Sequence, residues 1–111
     1  MDNEFICKAA MATVNYINNL DTITATEIPD GFFDLRYTQE VRNQKYKHGG
    51  KLKVEGSKVV GGFYDSVGDL TPMEQQEIEF IIDGESLFII SIFNGHKEQR
   101  EFADWAIFSR K

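Results

Sequence analysis

The chain has 111 residues, a mass of 12.7 kDa and a formal net charge of −6, which is the size of one domain. Hydrophobic residues make up 41% of the chain and only two residues are proline, which excludes a disordered or collagen-like chain. The single cysteine, Cys7, cannot close an internal disulfide, no secretory signal opens the chain, and no apolar run approaches the ~20 residues of a membrane span. We expect a cytoplasmic single domain over residues 1–111 with no membrane contact.

The N-terminal segment predicts a helix from about Asn3 to Leu20, capped by Asp2. Two neighbouring rows of apolar residues at helical spacing form a wide stripe, which is typical of a helix buried on a sheet. The small alanines in these rows let the helix backbone come close to the sheet. The rows are Phe5, Ala9, Ala12, Tyr16 and Leu20, and Ile6, Ala10, Val14 and Ile17.

Two β-rich segments follow the helix. Thr22–Thr26 is rich in β-branched residues and predicts a short strand or an extended connector. After the turn at Pro29–Gly31, apolar and polar side chains alternate from Gly31 to Val41. This alternation predicts a strand with one solvent-exposed face. Gly49 and Gly50 then predict a break in the chain.

A hairpin is predicted around Gly56-Ser57, with its return strand at Lys58–Tyr64. The paired glycines Gly61 and Gly62 inside this strand indicate a bulge or the close approach of another backbone. Beyond it, the residues from Thr71 to Glu74 predict one helical turn, because a threonine cap precedes a proline and an acid.

The second half of the chain contains two strands joined by a turn at Asp83-Gly84. Residues 77–83 mostly alternate and predict a strand. Leu87–Phe93 is apolar on both faces, which indicates a central strand covered on both sides. The N-terminal helix is long enough to cover one of these faces only.

The C-terminal residues from Lys97 to Arg110 predict a helix, with Phe102, Trp105 and Phe108 on its apolar side. A last strand over Ala103–Ser109 is the alternative. A helix would cover the second sheet face of a monomer, whereas a strand would leave that face bare and favour a homodimer. We expect an α+β domain in which the N-terminal helix packs on an antiparallel sheet of about five strands, followed by this helix or strand. We expect a monomer or a weak homodimer.

The residue types that carry chemistry form no known catalytic or metal-binding motif. His48, His96 and Cys7 do not have metal-ligand spacing. A calcium loop counted from Asp65 has the wrong residues at three of its required positions. No nucleophile elbow and no phosphate-binding glycine loop is present. We therefore expect a protein that is not an enzyme and holds no metal or cofactor.

Charge is segregated along the chain. Residues 36–58 contain seven bases and two acids, whereas residues 65–85 contain seven acids and no base. Such blocks steer association with a partner of opposite charge, unless acidic and basic strands neutralise one another across the sheet.

The acidic run predicts the surface that contacts a partner. We expect a small acidic inhibitor that neutralises a protein with a basic surface, such as a toxin, a nuclease or a defence complex, in the manner of immunity proteins and phage-encoded inhibitors. A nucleic-acid partner is not expected, because proteins that bind nucleic acids tend to be basic overall. The expected contact residues are Asp65, Asp69, Glu74, Glu77 and Glu79.

The basic block supports a second hypothesis, a small-molecule or nucleotide-binding protein that sequesters its ligand. Cations and free backbone N–H groups hold phosphates, and an aromatic ring stacks on a base. The alternative is a solvated hairpin tip whose lysines protect a sheet edge. The candidate ligand-binding residues are Arg36, Arg42, Lys45, Tyr46, Lys47 and Lys51.

Overall fold

The computed structural model of the protein describes residues 2–65, 67–73 and 76–103. One helix, α1 (Asn3–Asn15), is followed by short 3-10 turns at Leu20–Thr22 and Pro29–Gly31 and by strands of one sheet. The strands are β1 (Thr24–Glu27), β2 (Phe33–Val41), β3 (Gln44–Glu55), β4 (Lys58–Tyr64), β5 (Leu70–Pro72), β6 (Gln76–Asp83), β7 (Ser86–Phe93) and β8 (His96–Phe102).

All strand pairs are antiparallel, and the sheet has the order β1-β2-β3-β4-β6-β7-β8. β5 also pairs with β4, where Leu70 lies opposite Tyr64. β6 joins the same edge of β4 farther along, where Glu79 lies opposite Lys58. β4 therefore has β3 on one side and both β5 and β6 on the other.

Helix α1 packs on one face of this sheet, as its alanine-rich stripe predicts. The carboxylate of Asp2 accepts a hydrogen bond of 3.1 Å from the backbone N–H of Phe5, which confirms the predicted cap. The helix ends earlier than predicted, because Tyr16 adopts the left-handed conformation and its N–H bonds to the carbonyl of Ala12. Arg100 of β8 ties this end to the sheet by donating to the carbonyl of Ile17 at 2.6 Å.

The sheet face that contacts α1, called the inner face, contains the core. Side chains alternate along each strand, so every second residue points toward the helix. Fully buried examples are Leu35 on β2, Leu52 on β3, Ile78 on β6 and Ile89 on β7. The opposite face is called the outer face.

The sheet has eight strands, so the prediction of about five strands is wrong. The strands missing from the prediction are β5 and β8. The predicted break at Gly49 and Gly50 is also wrong, since both lie inside the long strand β3. A Cβ atom on Gly49 would approach the carbonyl oxygen of Leu35 to 2.6 Å, and one on Gly50 would approach that of Gly62 to 2.6 Å. These glycines permit close packing between strands rather than a turn.

The predicted helical turn near Thr71 is also wrong, because Leu70–Pro72 forms β5. Gly62 on β4 makes this pairing feasible, since a Cβ atom there would collide with the carbonyl oxygen of Thr71. The backbone pairing of β5 with β4 at Gly62 therefore outweighs the local capping pattern at Thr71.

The predicted helix from Lys97 to Arg110 is wrong over residues 97–102, which belong to β8. Pairing with β7, in which Leu87 lies opposite Phe102, satisfies the backbone of the central strand and outweighs the helix propensity of residues 98–101. The alternative strand over Ala103–Ser109, and the roles predicted for Trp105 and Phe108, fall on residues 104–111, outside the described part. No helix within the described residues is long and apolar enough to cross a membrane.

Replacing Gly61 with alanine tests the close approach of β3 to β4. The φ angle of Gly61 is +135°, and a Cβ atom would collide with the carbonyl oxygen of Lys51, so we expect Gly61→Ala to lower the free energy of unfolding by about 3 kcal/mol or more. Gly56→Ala is the control, because φ there is +62° but the space is open, and its expected cost is about 1 kcal/mol. Urea unfolding measures both, and equal losses would contradict the close approach.

Candidate functional site

The outer face of the sheet carries the charged residues that the sequence singles out. On β3 the side chains of this face follow one another at every second residue, about 7 Å apart along the strand. Gly49 interrupts this series, and the other four residues form the lysine row, defined as Lys45, Lys47, Lys51 and Lys53.

The cations of the lysine row have no ion-pair partner within 4 Å among the described residues. Lys51 lies opposite Asp34 in the sheet register and Lys47 lies opposite Thr38. The Lys53 Nζ atom is 5.4 Å from the centre of the Phe32 ring, a weak cation–π contact. Lys53 is absent from the predicted ligand set, although its two-residue spacing from Lys51 places both on one face.

Arg36 contacts two other side chains of the protein, Asp34 and Tyr64. Its Nε donates to a carboxylate oxygen of Asp34 at 2.8 Å, and its guanidinium lies 4.2 Å from the centre of the Tyr64 ring. The missing side chain of Gly49 lets this contact cross β3, since a Cβ atom would lie 3.0 Å from Arg36 and 3.1 Å from Tyr64. The hydrogen bond to Asp34 raises the pKa of Arg36 further.

The hairpin between β2 and β3 forms an arm whose residues 38–47 are all exposed. Arg42 and Asn43 make its turn with φ angles of 51° and 65°. Tyr46 alternates with Lys45 and Lys47 along β3, so its ring lies on the opposite face from the lysine row, where its hydroxyl donates to Gln44 at 2.8 Å. The structure therefore separates the predicted stacking ring from these cations.

The predicted acidic contact residues follow the other edge of β4. Asp65 and Asp69 lie in the loop after β4, where one carboxylate oxygen of Asp65 accepts from the backbone N–H of Asp69 at 2.9 Å. Glu77 and Glu79 lie on the outer face of β6, the first exposed and the second half-buried. Glu74 is outside the described residues. We call Asp65, Asp69, Glu77 and Glu79 the acidic row.

An apolar strip borders the acidic row on the outer face. Ile81 on β6 is 53% exposed, and the outer side chains of β7 are half-buried at Phe88 and Ile92 but only 7% exposed at Ile90. This strip confirms that β7 is a central strand with two apolar faces. We call the acidic row and the apolar strip (Ile81, Phe88, Ile90, Ile92) together the acidic–apolar surface.

The side chains with nucleophilic or acid–base chemistry are Cys7, which is buried, and His48 and His96, which contact other side chains. Burial first, and the charge of Glu4 second, raise the pKa of the Cys7 thiol to about 12. The ring of His48 stacks on Tyr37 with centroids 4.7 Å apart, and His96 lies 3.7 Å from Glu98. Among residues 2–65, 67–73 and 76–103, no three His, Cys, Asp or Glu side chains are grouped to hold a metal ion.

A cavity of about 530 Å³ lies beside the start of α1 and includes Phe5, Leu20 and Phe102 in its lining. Its cations already have partners: Lys8 pairs with Glu4 at 3.8 Å, and Arg100 donates to backbone carbonyls. Two smaller cavities, of about 290 and 300 Å³, lie elsewhere. None of these three is lined by the predicted ligand-binding residues.

Comparison of the chain with models of protein families, with curated proteins and with solved structures gave no match.

The thiol of Cys7 is expected to resist alkylation in the folded protein. A group whose pKa is raised from 9.0 to about 12 stays protonated at pH 8, and the thiolate is the reactive form. Iodoacetamide labelling followed by mass spectrometry should show reaction only after denaturation. Rapid labelling of the native protein at pH 8 would contradict the burial of this side chain in α1.

Proposed function

We propose that the protein is a non-catalytic binding protein that inhibits or neutralises a protein partner, and that this partner docks a basic surface on the acidic–apolar surface. The observation that carries the proposal is the juxtaposition of carboxylates and an apolar strip on the sheet face opposite α1. Toxins, nucleases and nucleic-acid-guided defence complexes are the partner classes with suitable basic grooves.

The apolar strip favours a protein as the partner. Protein interfaces have an apolar centre surrounded by a polar rim, and an exposed apolar patch with charged neighbours marks such a site. Ile81 lies two residues from Glu79 on the outer face of β6, and Phe88 lies opposite Ile81 on β7. A small phosphorylated ligand would gain nothing from these side chains.

The carboxylates favour a basic partner. No ion pair within 4 Å involves Asp69, Glu77 or Glu79 among the described residues, and the side chains of Asp69 and Glu77 are exposed. Opposite charges on a partner accelerate the encounter by factors of about 10 to 1,000 at low salt. Once the proteins have met, the apolar strip supplies contact area that holds the complex together.

Phosphate or nucleotide sequestration is the second candidate function, because the cations of the lysine row lack ion-pair partners within the part of the chain that the structure describes. Phosphate binding on an open strand face would depend on Lys47 and Lys51 without help from Tyr46, whose ring is on the other face. A thermal-shift screen with nucleotides and cyclic dinucleotides tests it, since a ligand at 100 times its Kd adds about 2.7 kcal/mol of stability. A melting temperature that stays constant with all of them would eliminate this candidate.

Reversing the charge of Asp69 and Glu77, both exposed, to lysine is expected to slow association with the partner about tenfold and to flatten its salt dependence. Stability should change little, because exposed charges contribute little to folding. Biolayer interferometry against a panel of basic toxins, nucleases and defence complexes, with this chain at nanomolar concentration, measures the rates. Inhibition of each partner's activity is measured in parallel.

The matched control reverses Asp21 and Glu27, which lie in a 3-10 turn and on the inner side of β1. The control has the same net charge as the test variant, so a general charge effect would slow both variants equally. Equal association rates for the wild-type protein and the test variant would remove the acidic row from the binding surface.

A further inference from the structure

We infer that β8 pairs edge to edge with β8 of a second copy of this chain, in an antiparallel register centred on Gln99, so that the sheets of two copies join into one. The inference goes beyond the proposed function and does not depend on it, because the contact is a strand edge and not the acidic–apolar surface. Two observations carry it: the edge position of β8 in the described sheet, and the alternating signs of the charged residues on this strand.

β8 is a terminal strand of the sheet. It pairs with β7 on one side, and no strand of the described ranges pairs with its other side. A strand in this position presents a row of backbone N–H and C=O groups that can pair with another chain. The strand at the opposite end of the sheet, β1, has only 4 residues, whereas β8 has 7. β8 therefore presents the longer of the two terminal edges.

The turn before β8 determines which backbone groups point to its free edge. Asn94 and Gly95 form this two-residue turn with φ angles of 50° and 79°, as a type I′ hairpin requires. The residues that flank such a turn, Phe93 and His96, exchange both of their backbone hydrogen bonds. Because this pattern alternates along an antiparallel pair, residues 97, 99 and 101 direct their N–H and C=O groups away from β7.

Symmetry links these groups to a register. When a strand pairs with its own copy, a two-fold axis perpendicular to the sheet passes between two identical residues. An axis at Gln99 places residue 97 opposite residue 101 of the second copy, and residue 99 opposite its own counterpart. All three residues with outward backbone groups then form hydrogen bonds across the interface, about six bonds in total. The contact is isologous and closes as a dimer.

This register pairs opposite charges on the outer face. Lys97 lies opposite Glu101 of the second copy, and the axis repeats this pair once more. Both side chains are exposed, and neither belongs to an ion pair within 4 Å among the described residues. Glu101 accepts a hydrogen bond from Ser86 at 2.8 Å, which occupies one of its two carboxylate oxygens. Directly opposite side chains of unlike charge stabilise an antiparallel pair.

The same register pairs opposite charges on the inner side. Glu98 lies opposite Arg100 of the second copy. Within its own copy Glu98 accepts from the hydroxyl of Tyr16 at 2.9 Å, and Arg100 donates to the carbonyl of Ile17 at 2.6 Å. A guanidinium has five N–H donors and a carboxylate has two oxygens, so these internal contacts do not exhaust either group.

The neighbouring symmetric registers bring like charges together. An axis at Glu98 places two carboxylates directly opposite each other, and an axis at Arg100 does the same with two guanidinium groups. Axes at Lys97 and Glu101 likewise place each residue opposite its own copy. Like charges in this position destabilise the pairing. Charged side chains commonly protect an edge strand from pairing, but the signs on β8 do so in every register along residues 97–101 except the one centred on Gln99.

Two charge reversals and their combination test the dimer. Lys97→Glu sets two carboxylates opposite each other, Glu101→Lys sets two ammonium groups opposite each other, and each variant alone should raise the Kd about tenfold. An equimolar mixture of the two should form a dimer with one copy of each, because every pair across the axis is again of unlike charge. For the same reason, the double variant with both reversals should dimerise like the wild-type protein.

Sedimentation equilibrium from micromolar to hundreds of micromolar measures these Kd values, since an interface of one strand from each copy is small and the dimer weak. Native mass spectrometry identifies the mixed species. The controls Lys47→Glu and Glu27→Lys make the same changes of charge at exposed positions on β3 and β1, and both should dimerise like the wild-type protein. Circular dichroism and thermal melting verify that each variant folds.

Gln99→Cys tests the register itself. Residues that exchange backbone hydrogen bonds in an antiparallel pair have Cα atoms about 5.5 Å apart, a separation that a disulfide spans. Air oxidation should therefore link two copies, seen as a dimer on a non-reducing gel. Lys47→Cys, exposed on the hairpin arm, controls for random collisions and should stay monomeric. The native Cys7 is buried and does not compete.

The inference is overturned by a wild-type protein that stays monomeric at hundreds of micromolar, by reversals that leave the Kd unchanged, or by a mixture and a double variant that both fail to associate. Equal cross-linking of the two cysteine variants would exclude the register at Gln99. The proposed function fails separately, because its assay changes Asp69 and Glu77 and uses nanomolar protein, at which a micromolar dimer is dissociated.

Discussion

The packing of the alanine side of α1 on the middle of the sheet is the contact on which the rest of the structure depends. Ala9, Ala10 and Ala12 are fully buried, and α1 contacts both β3 and β7 across the sheet. Because one helix of 13 residues covers the inner face, apolar side chains concentrate there and charged side chains are placed on the outer face. Within the described residues the helix covers one face of the sheet, and the surface that we propose for binding lies on the other face.

Glycine at the centre of the sheet completes this arrangement. Gly49, Gly50, Gly61 and Gly62 lie on β3 and β4, and an added Cβ atom at each would meet a neighbouring carbonyl oxygen. The same absence of side chains allows Arg36 to reach the ring of Tyr64 across β3. The outer-face cations of β2 and β3 therefore divide into Arg36, which contacts Asp34 and Tyr64, and the lysine row, which is free of ion pairs among the described residues.

Local patterns predicted some elements well and others wrongly, for identifiable reasons. The Asp2 cap, the turn at Gly56 and the strand β7 depend on near neighbours in the chain, and each is confirmed. The end of α1, the strand β5 and the strand β8 depend on partners distant in sequence, which propensity alone does not contain. The charged residues were identified by composition, but their arrangement on either side of β4 requires the sheet order. The apolar strip follows from the two apolar faces of β7 once β8 is a strand.

The central claim is that the outer face binds protein, and isoleucine-methyl NMR tests it most directly. Ile81, Ile90 and Ile92 report on the outer face, while Ile6, Ile78 and Ile89 report on the core around α1. When a basic partner is added, the methyl signals of the first group should shift or broaden while those of the second stay in place. Shifts confined to the core residues, or no shift at any of the six residues on binding of a basic partner, would contradict the account.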